Sequence, residues 1–154
     1  VYTFFCSDSC AAYCNHALDE VRGFPHVLFG EDTVVVAKLL HRQHCVAYVA
    51  EAEVHHSHDY SLKQEFCRHF DIGLARHTYH DLIAIAGSDN QRGKTYVQTL
   101  LKELWRNSPS LIPYALLQTL AKFCGYRLGK ASLHAPIWVK RTFSSQKFYW
   151  KDDI

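Results

Sequence analysis

The sequence predicts an α/β fold, with a short mixed region of few strands followed by a helical extension. Three observations predict it. In the first third, apolar residues fall in short runs bounded by turn residues, at 2–6, 44–49 and 52–56, which is the length and setting of strands. From residue 61 onward they recur at spacings of three and four, the helical period. Composition is globular, with 154 residues, 48% hydrophobic, 14% aromatic and 21% charged, and the length suits one domain with its own core. A mixed region over 1–60 and a helical region over 61–154 follow from the shift at residue 60. So few strands in the first region point to a sheet whose other strands lie upstream. The absence of Met, even at position 1, fits a piece of a longer or trimmed protein.

The elements are expected in this order. Residues 2–6 form a strand, and Ser7-Asp8-Ser9 a turn or cap. Ala11, Ala12, Leu18 and Val21 give residues 10–21 an apolar helical stripe, ended by Gly23-Phe24-Pro25. After the Phe29-Gly30-Glu31-Asp32 turn, Val35/Leu39 and Val36/Leu40 pair at i,i+4 in a helix over 32–42, with Asp32 and Thr33 where an N-cap belongs. Strands at 44–49 and 52–56 flank a tight Ala50-Glu51 connection, and the polar run Ser57–Ser61 caps the next helix. That helix runs from 61 to 86 with Leu62, Phe66, Phe70 and Leu74 on one face. Gly87–Gly93 reads as a loop, and helices follow at 93–106 and 110–127 around Ser108-Pro109. Trp138, Phe143, Phe148 and Trp150 then alternate with Lys140, Arg141, Lys147 and Lys151 in a basic aromatic tail. This tail reads either as a final helix packing on the core or as a segment for a membrane surface.

Seventeen Lys and Arg against 15 Asp and Glu leave a net charge of +2, too balanced for a nucleic-acid partner. No secretory leader pattern is visible, and no apolar run reaches the ~18 residues of a membrane span. None of the six Cys forms a C-x-x-C pair, so zinc ribbons and thioredoxin-type redox sites are not supported. Cys6, Cys10 and Cys14 are spaced by four, so on a helix they would share a face, as small buried residues or as soft-metal ligands. A cytoplasmic, reduced protein fits this usage.

Three groups can carry chemistry. A carboxylate at a helix N-terminus is held ionised by the dipole, which suits a general base or serves as a plain cap; Glu31-Asp32 is such a pair. In His55-His56-Ser57-His58, His56 and His58 would point to one side of a strand end, where two imidazoles can ligate a divalent metal. Lys63, Arg68 and Arg76 form a basic stripe that could meet a diphosphate or stay solvated. Phosphate-loop, dinucleotide and hydrolase-elbow motifs are absent from the sequence.

The order of these pieces resembles a family. Phe5-Cys6-Ser7-Asp8-Ser9-Cys10-Ala11-Ala12-Tyr13, Gly23-Phe24-Pro25, Phe29-Gly30-Glu31-Asp32-Thr33 and Glu53–Ser61 are similar to the second half of inverting family 2 glycosyltransferases of GT-A fold. The likeness continues through Gln64–Gly73, and Gly125–Lys130 with Phe148-Tyr149-Trp150 resembles bacterial rhamnosyltransferase-like members that build surface polysaccharide. It implies a GT-A-like mixed sheet in which Asp32, beside Glu31, deprotonates the acceptor hydroxyl for a single inverting displacement. The implied donor is a nucleotide-sugar, with rhamnose as the sugar, and the implied acceptor a saccharide or a lipid-linked saccharide. A divalent metal, Mn or Mg, would sit on the diphosphate with His56, or else His58, as ligand, once the nucleotide-binding half is present. Gly23 and Phe24 would shape the acceptor side, and Lys63 and Arg68 would meet acceptor or phosphate.

Two departures stand out. The family's Gly-Gly-Phe turn is Arg22-Gly23-Phe24 here, and no Asp-x-Asp metal motif occurs. The chain alone is therefore expected to bind donor poorly. An exposed sheet edge would favour a homodimer or aggregation. The resemblance places the protein at the inner face of a bacterial membrane. The alternative reading is a non-catalytic module that docks on a membrane or a partner.

Overall fold

The computed structural model describes residues 8–83 and 89–151. Among them every regular element is helical: α1 (Asn15–Glu20), α2 (Glu31–His41), α3 (Leu62–Thr78), α4 (His80–Ile83), α5 (Asp89–Asn107), α6 (Ile112–Ala131) and α7 (Ile137–Phe143), with single tight turns at Asp8–Cys10 and Pro109–Leu111. The chain divides into two compact units. The first takes the described residues up to Asp59 together with those from Ala75 to Ile83. The second takes Tyr60–Leu74 and the described residues from Asp89 on.

In the first unit α2 is the central element. Val34, Val35, Val36, Ala37 and Leu39 are all buried, and a fully buried Val or Leu contributes roughly 1.5–3 kcal/mol. One side of α2 packs Val35 and Leu39 on Ala17 and Val21. The other packs Val36 and Ala37 against Tyr13, Leu40, Leu82 and Ile83. His41 fixes α4 to the end of α2 through the Leu82 carbonyl, 3.0 Å from its Nε2.

In the second unit α3 opens with a capping box. Ser61 N–H donates to Gln64 Oε1 at 2.9 Å, and Gln64 N–H reaches back to Ser61 Oγ at 3.4 Å. Phe70 and Leu74 are buried. The neighbouring face meets α6 with almost no side chain between the backbones. A Cβ on Gly73 would run into the Tyr126 carbonyl, and one on Gly125 into the Phe66 carbonyl. At Gly129 it would strike the Phe70 carbonyl and lie 2.9 Å from Leu74 N. Glycine is required at this crossing because any side chain would force the helices apart. Beside it, buried Glu65 on α3 is matched by Lys122 Nζ at 3.3 Å and Gln118 Nε2 at 3.1 Å on α6.

A single carboxylate holds the segment after α7. Asp71 is completely buried. Its Oδ2 accepts from the Ser145 N–H at 2.8 Å and from the Ser145 hydroxyl. Burial pushes this carboxyl above its usual range, opposed by hydrogen bonds from the Ser145 and Ser144 side chains. The clamp lets Phe143 pack on Phe66 and Phe70, with ring centroids 6.0 and 5.9 Å apart. Trp150 is buried nearby under the Lys140 ammonium, 5.7 Å from its ring.

Several expectations are corrected. No strand occurs among the described residues, so the α/β sheet is not formed, and neither is the exposed edge that motivated a homodimer. Residues 44–49 and 52–56 have strand-like composition, yet 45–59 are exposed and their local bonds are turns, Ala52 N–H to Val49 at 3.2 Å and Glu53 N–H to Glu51 at 3.1 Å. A strand needs a neighbour to take its backbone groups, and none of the described segments supplies one. The strand expected at 2–6 lies outside the described residues. The helix expected at 10–21 is confined to α1, so Cys10 and Cys14 share no helical face and both are exposed. The loop expected over 87–93 is helical from Asp89, and the helix expected to run to 86 breaks after Thr78.

Two outcomes test this packing. Gly129→Ala should destabilise by about 1–3 kcal/mol in urea denaturation, outweighing the better helix propensity of Ala. Gly93→Ala on α5, with nothing within 4 Å of the new Cβ, should instead stabilise by ~0.5–1 kcal/mol. For Asp71 the folded pKa is raised, so its stabilising contribution is complete below the unfolded value and is lost as pH rises through the folded one. Melting temperature of wild type relative to Asp71→Asn should therefore fall as pH rises from about 4. Asp71→Ala should cost about 1–3 kcal/mol across the same range by leaving the Ser145 donors unmet.

Candidate functional site

Gly30 starts α2 from a left-handed backbone, φ 77°, which glycine adopts without strain. This cap differs from the one expected at Asp32 and Thr33. Asp32 is instead the second residue of the helix, in the first turn with Glu31. Backbone N–H groups without helical partners and the positive end of the dipole lie there. Asp32 is half-buried and Glu31 is exposed. Asp32 Oδ1 accepts from the Thr33 N–H at 2.6 Å and from the Thr33 hydroxyl at 3.2 Å. Thr33 thus orients the carboxylate through Oδ1, and among the described residues the second oxygen makes no hydrogen bond. The helix behind it is the best buried in the unit, so the carboxylate sits on a fixed support.

The Arg22-Gly23-Phe24 turn belongs to the same unit. Arg22 N–H bonds the Asp19 carbonyl at 3.1 Å, and Gly23 N–H the Leu18 carbonyl at 2.8 Å. This is the Schellman ending of a helix, in which the first residue past the cap is left-handed. Arg22 holds that place at φ 65° and Gly23 follows at φ 68°. The glycine that the resemblance leads one to expect at position 22 would fit this backbone without strain. Phe24 is 45% exposed and meets the Tyr13 ring edge-on at 5.2 Å. Gln43 ends α2 in the same way at φ 66°, and His44 then bonds Glu20 at 3.1 Å. That hydrogen bond is the first cause holding the Glu20 carboxyl below its usual range. The turn after α1 is therefore anchored near the end of α2 opposite Asp32, and Phe24 returns from it onto Tyr13.

His56 and His58 are neighbours despite the missing strand. Their ring centroids are 4.3 Å apart and their planes perpendicular. Both are exposed. Two imidazoles fall short of the three or four protein ligands of a zinc-type site. Among the described residues no group of three or more His, Cys, Asp or Glu is placed to hold a metal ion. The pair is not a closed zinc-type site, whereas a Mn or Mg ion carried on a donor diphosphate would call on only one or two protein ligands.

Lys63 and Arg68 lie in the second unit. Five residues apart on α3, they point about 140° away from each other. Lys63 is exposed, and Arg68 lies over the Tyr60 ring at 5.4 Å. They do not converge as a phosphate clamp would. Asp71 with Ser145 and Glu65 with Lys122 leave no signal in the sequence, because the partners are 74 and 57 residues apart with no local pattern linking them.

The chain is similar to two O-antigen chain rhamnosyltransferases. It is 39% identical over 153 residues to RfbN of Salmonella typhimurium, covering 99% of this chain and 49% of that protein. It is 38% identical over 153 residues to WbaN of Salmonella anatum, with the same coverage. The chain thus spans about half the length of the curated relatives it matches. No family model and no solved structure matches it.

The strained turn gives a measurable consequence. Arg22→Gly should stabilise the chain by roughly 0.5–1 kcal/mol, because the relief of a left-handed side chain exceeds the added entropy of the unfolded glycine. Urea denaturation checks it, and an unchanged or lower midpoint would contradict the assignment of position 22.

Proposed function

We propose that this chain is the acceptor-activating portion of a rhamnosyltransferase that extends a surface polysaccharide of O-antigen type. The observation that carries the reading is 39% identity across virtually the whole chain to a protein named for that activity. Asp32 supports it independently, as an oriented carboxylate at the N-terminus of a buried helix.

In the proposed reaction the acceptor hydroxyl approaches the unbonded oxygen of Asp32. As its proton passes to the carboxylate, the hydroxyl oxygen forms a bond to the anomeric carbon of a nucleotide-sugar. The bond from that carbon to the diphosphate oxygen breaks on the opposite face, and the nucleoside diphosphate leaves with the electron pair. The configuration at the anomeric carbon inverts. A carboxylate in the first turn of a helix, oriented by its neighbour, suits this task, because a general base must be charged before the proton moves. Glu31, exposed and not oriented by Thr33, contributes charge to the same turn rather than taking the proton. The acceptor is a saccharide, free or lipid-linked. The sequence carries no phosphate-binding motif, so the nucleotide is proposed to be held by other parts of the full-length protein.

The test is rhamnosyl transfer from a nucleotide-sugar by a full-length protein containing this chain. Asp32→Asn should lower kcat by about 10²–10⁴-fold, the usual worth of a general base, with the melting temperature unchanged. Glu31→Gln should retain most activity. Unchanged turnover in Asp32→Asn would exclude Asp32 as the base.

A further inference from the structure

Charge is distributed unevenly along the chain. Between Glu103 and Asp152 there is no acidic residue at all, while eight of the 17 Lys and Arg fall there. The carboxylates of Asp152 and Asp153 follow and offset only part of this charge. The excess coincides with the helix that is most apolar on its outside. Ala115, Gly125 and Gly129 are the buried residues of α6, and Gln118 and Lys122 on the same side meet Glu65 of α3. The opposite side carries Leu116, Leu117, Leu120 and Phe123, which are 48%, 54%, 56% and 60% exposed. At 100° per residue these four project from one face, and exposed Arg127 and Lys130 continue it toward the C-terminus. Farther on, Trp138 is 71% exposed with exposed Arg141 three residues along, and Phe148 is 65% exposed between Lys147 and Lys151.

Exposed large apolar residues in a contiguous patch mark an interaction surface. A protein partner would have to offer both apolar area and concentrated negative charge. An anionic bilayer offers both everywhere: acyl chains beneath the headgroups for Leu, Phe and Trp, and lipid phosphates for Arg and Lys. No described helix is long and apolar enough to cross a membrane, so the contact would be interfacial. We propose that the outer face of α6, from Leu116 to Lys130, docks the second unit on an anionic lipid surface, with the aromatic and basic residues that follow adding to the hold. This surface is distinct from the Asp32 site and does not depend on the proposed function.

The whole chain, purified, tests it by flotation with vesicles of phosphatidylcholine alone or with phosphatidylglycerol. Binding to the anionic vesicles, weakened by salt because the attraction is screened, is the expected result. Arg127→Glu with Lys130→Glu should reduce the partition coefficient at least about tenfold, and Leu120→Gln with Phe123→Gln should do the same. Both pairs are exposed, and circular dichroism checks that each variant keeps its helices. Lys38→Glu in the first unit should leave binding within about twofold, since that residue lies outside the proposed face. Three outcomes would overturn the proposal: no flotation at low salt, equal binding to neutral vesicles, or a dimer in sedimentation that Leu120→Gln with Phe123→Gln dissociates while vesicles bind neither form.

Discussion

Three glycines set how closely α3 and α6 approach, and the second unit is arranged around that contact. With no Cβ at Gly73, Gly125 and Gly129, each helix lays its backbone against the carbonyls of the other. Close approach brings the long side chains beside the crossing within reach, so Glu65 meets Lys122 and Gln118 directly. It also leaves Phe66 and Phe70 to take Phe143, and Asp71 to take Ser145. A buried carboxylate is costly unless its partners are fixed. Here Ser145 supplies two donors to Asp71 Oδ2, its N–H and its hydroxyl.

The first unit follows a different logic. Its core is one apolar helix, α2, sandwiched by α1 and α4. Both α1 and α2 end in left-handed residues that are not glycine, Arg22 and Gln43. Such positions store about 1–2 kcal/mol each and persist because the surrounding bonds overdetermine them. The rigid result is a support for whatever stands at the start of α2, and Asp32 stands there. A general base gains from such support, since a misplaced carboxylate loses most of its effect.

Much of this was legible locally. The i,i+4 pairs of α2, the Leu62–Leu74 face of α3 and the Ser61 cap all follow from spacing, and spacing survives folding. Asp32 was recognisable as a carboxylate near a helix start, although Gly30 and not Asp32 makes the cap. The anomaly at Arg22 was visible as a departure from a glycine turn, and its φ supplies the reason. What failed was the sheet. Residues 44–56 have the composition of strands, but a strand is defined by its partner, and composition says nothing about whether one is present. The same limit hid Asp71, whose hydrogen-bond partner Ser145 is 74 residues away. Gly93 misled in the other direction, since a glycine on an exposed helix turn costs only about 1 kcal/mol and does not end the helix.

On the proposed reading, the first unit presents Asp32 to a saccharide acceptor. Amide chemical shifts of the isotope-labelled chain, followed during titration with a rhamnose-containing oligosaccharide, test it most directly. Saturable shifts centred on Gly30–Thr33, unaltered by a nucleoside diphosphate, are the expected result. Shifts confined to the second unit, or none at millimolar saccharide, would contradict it.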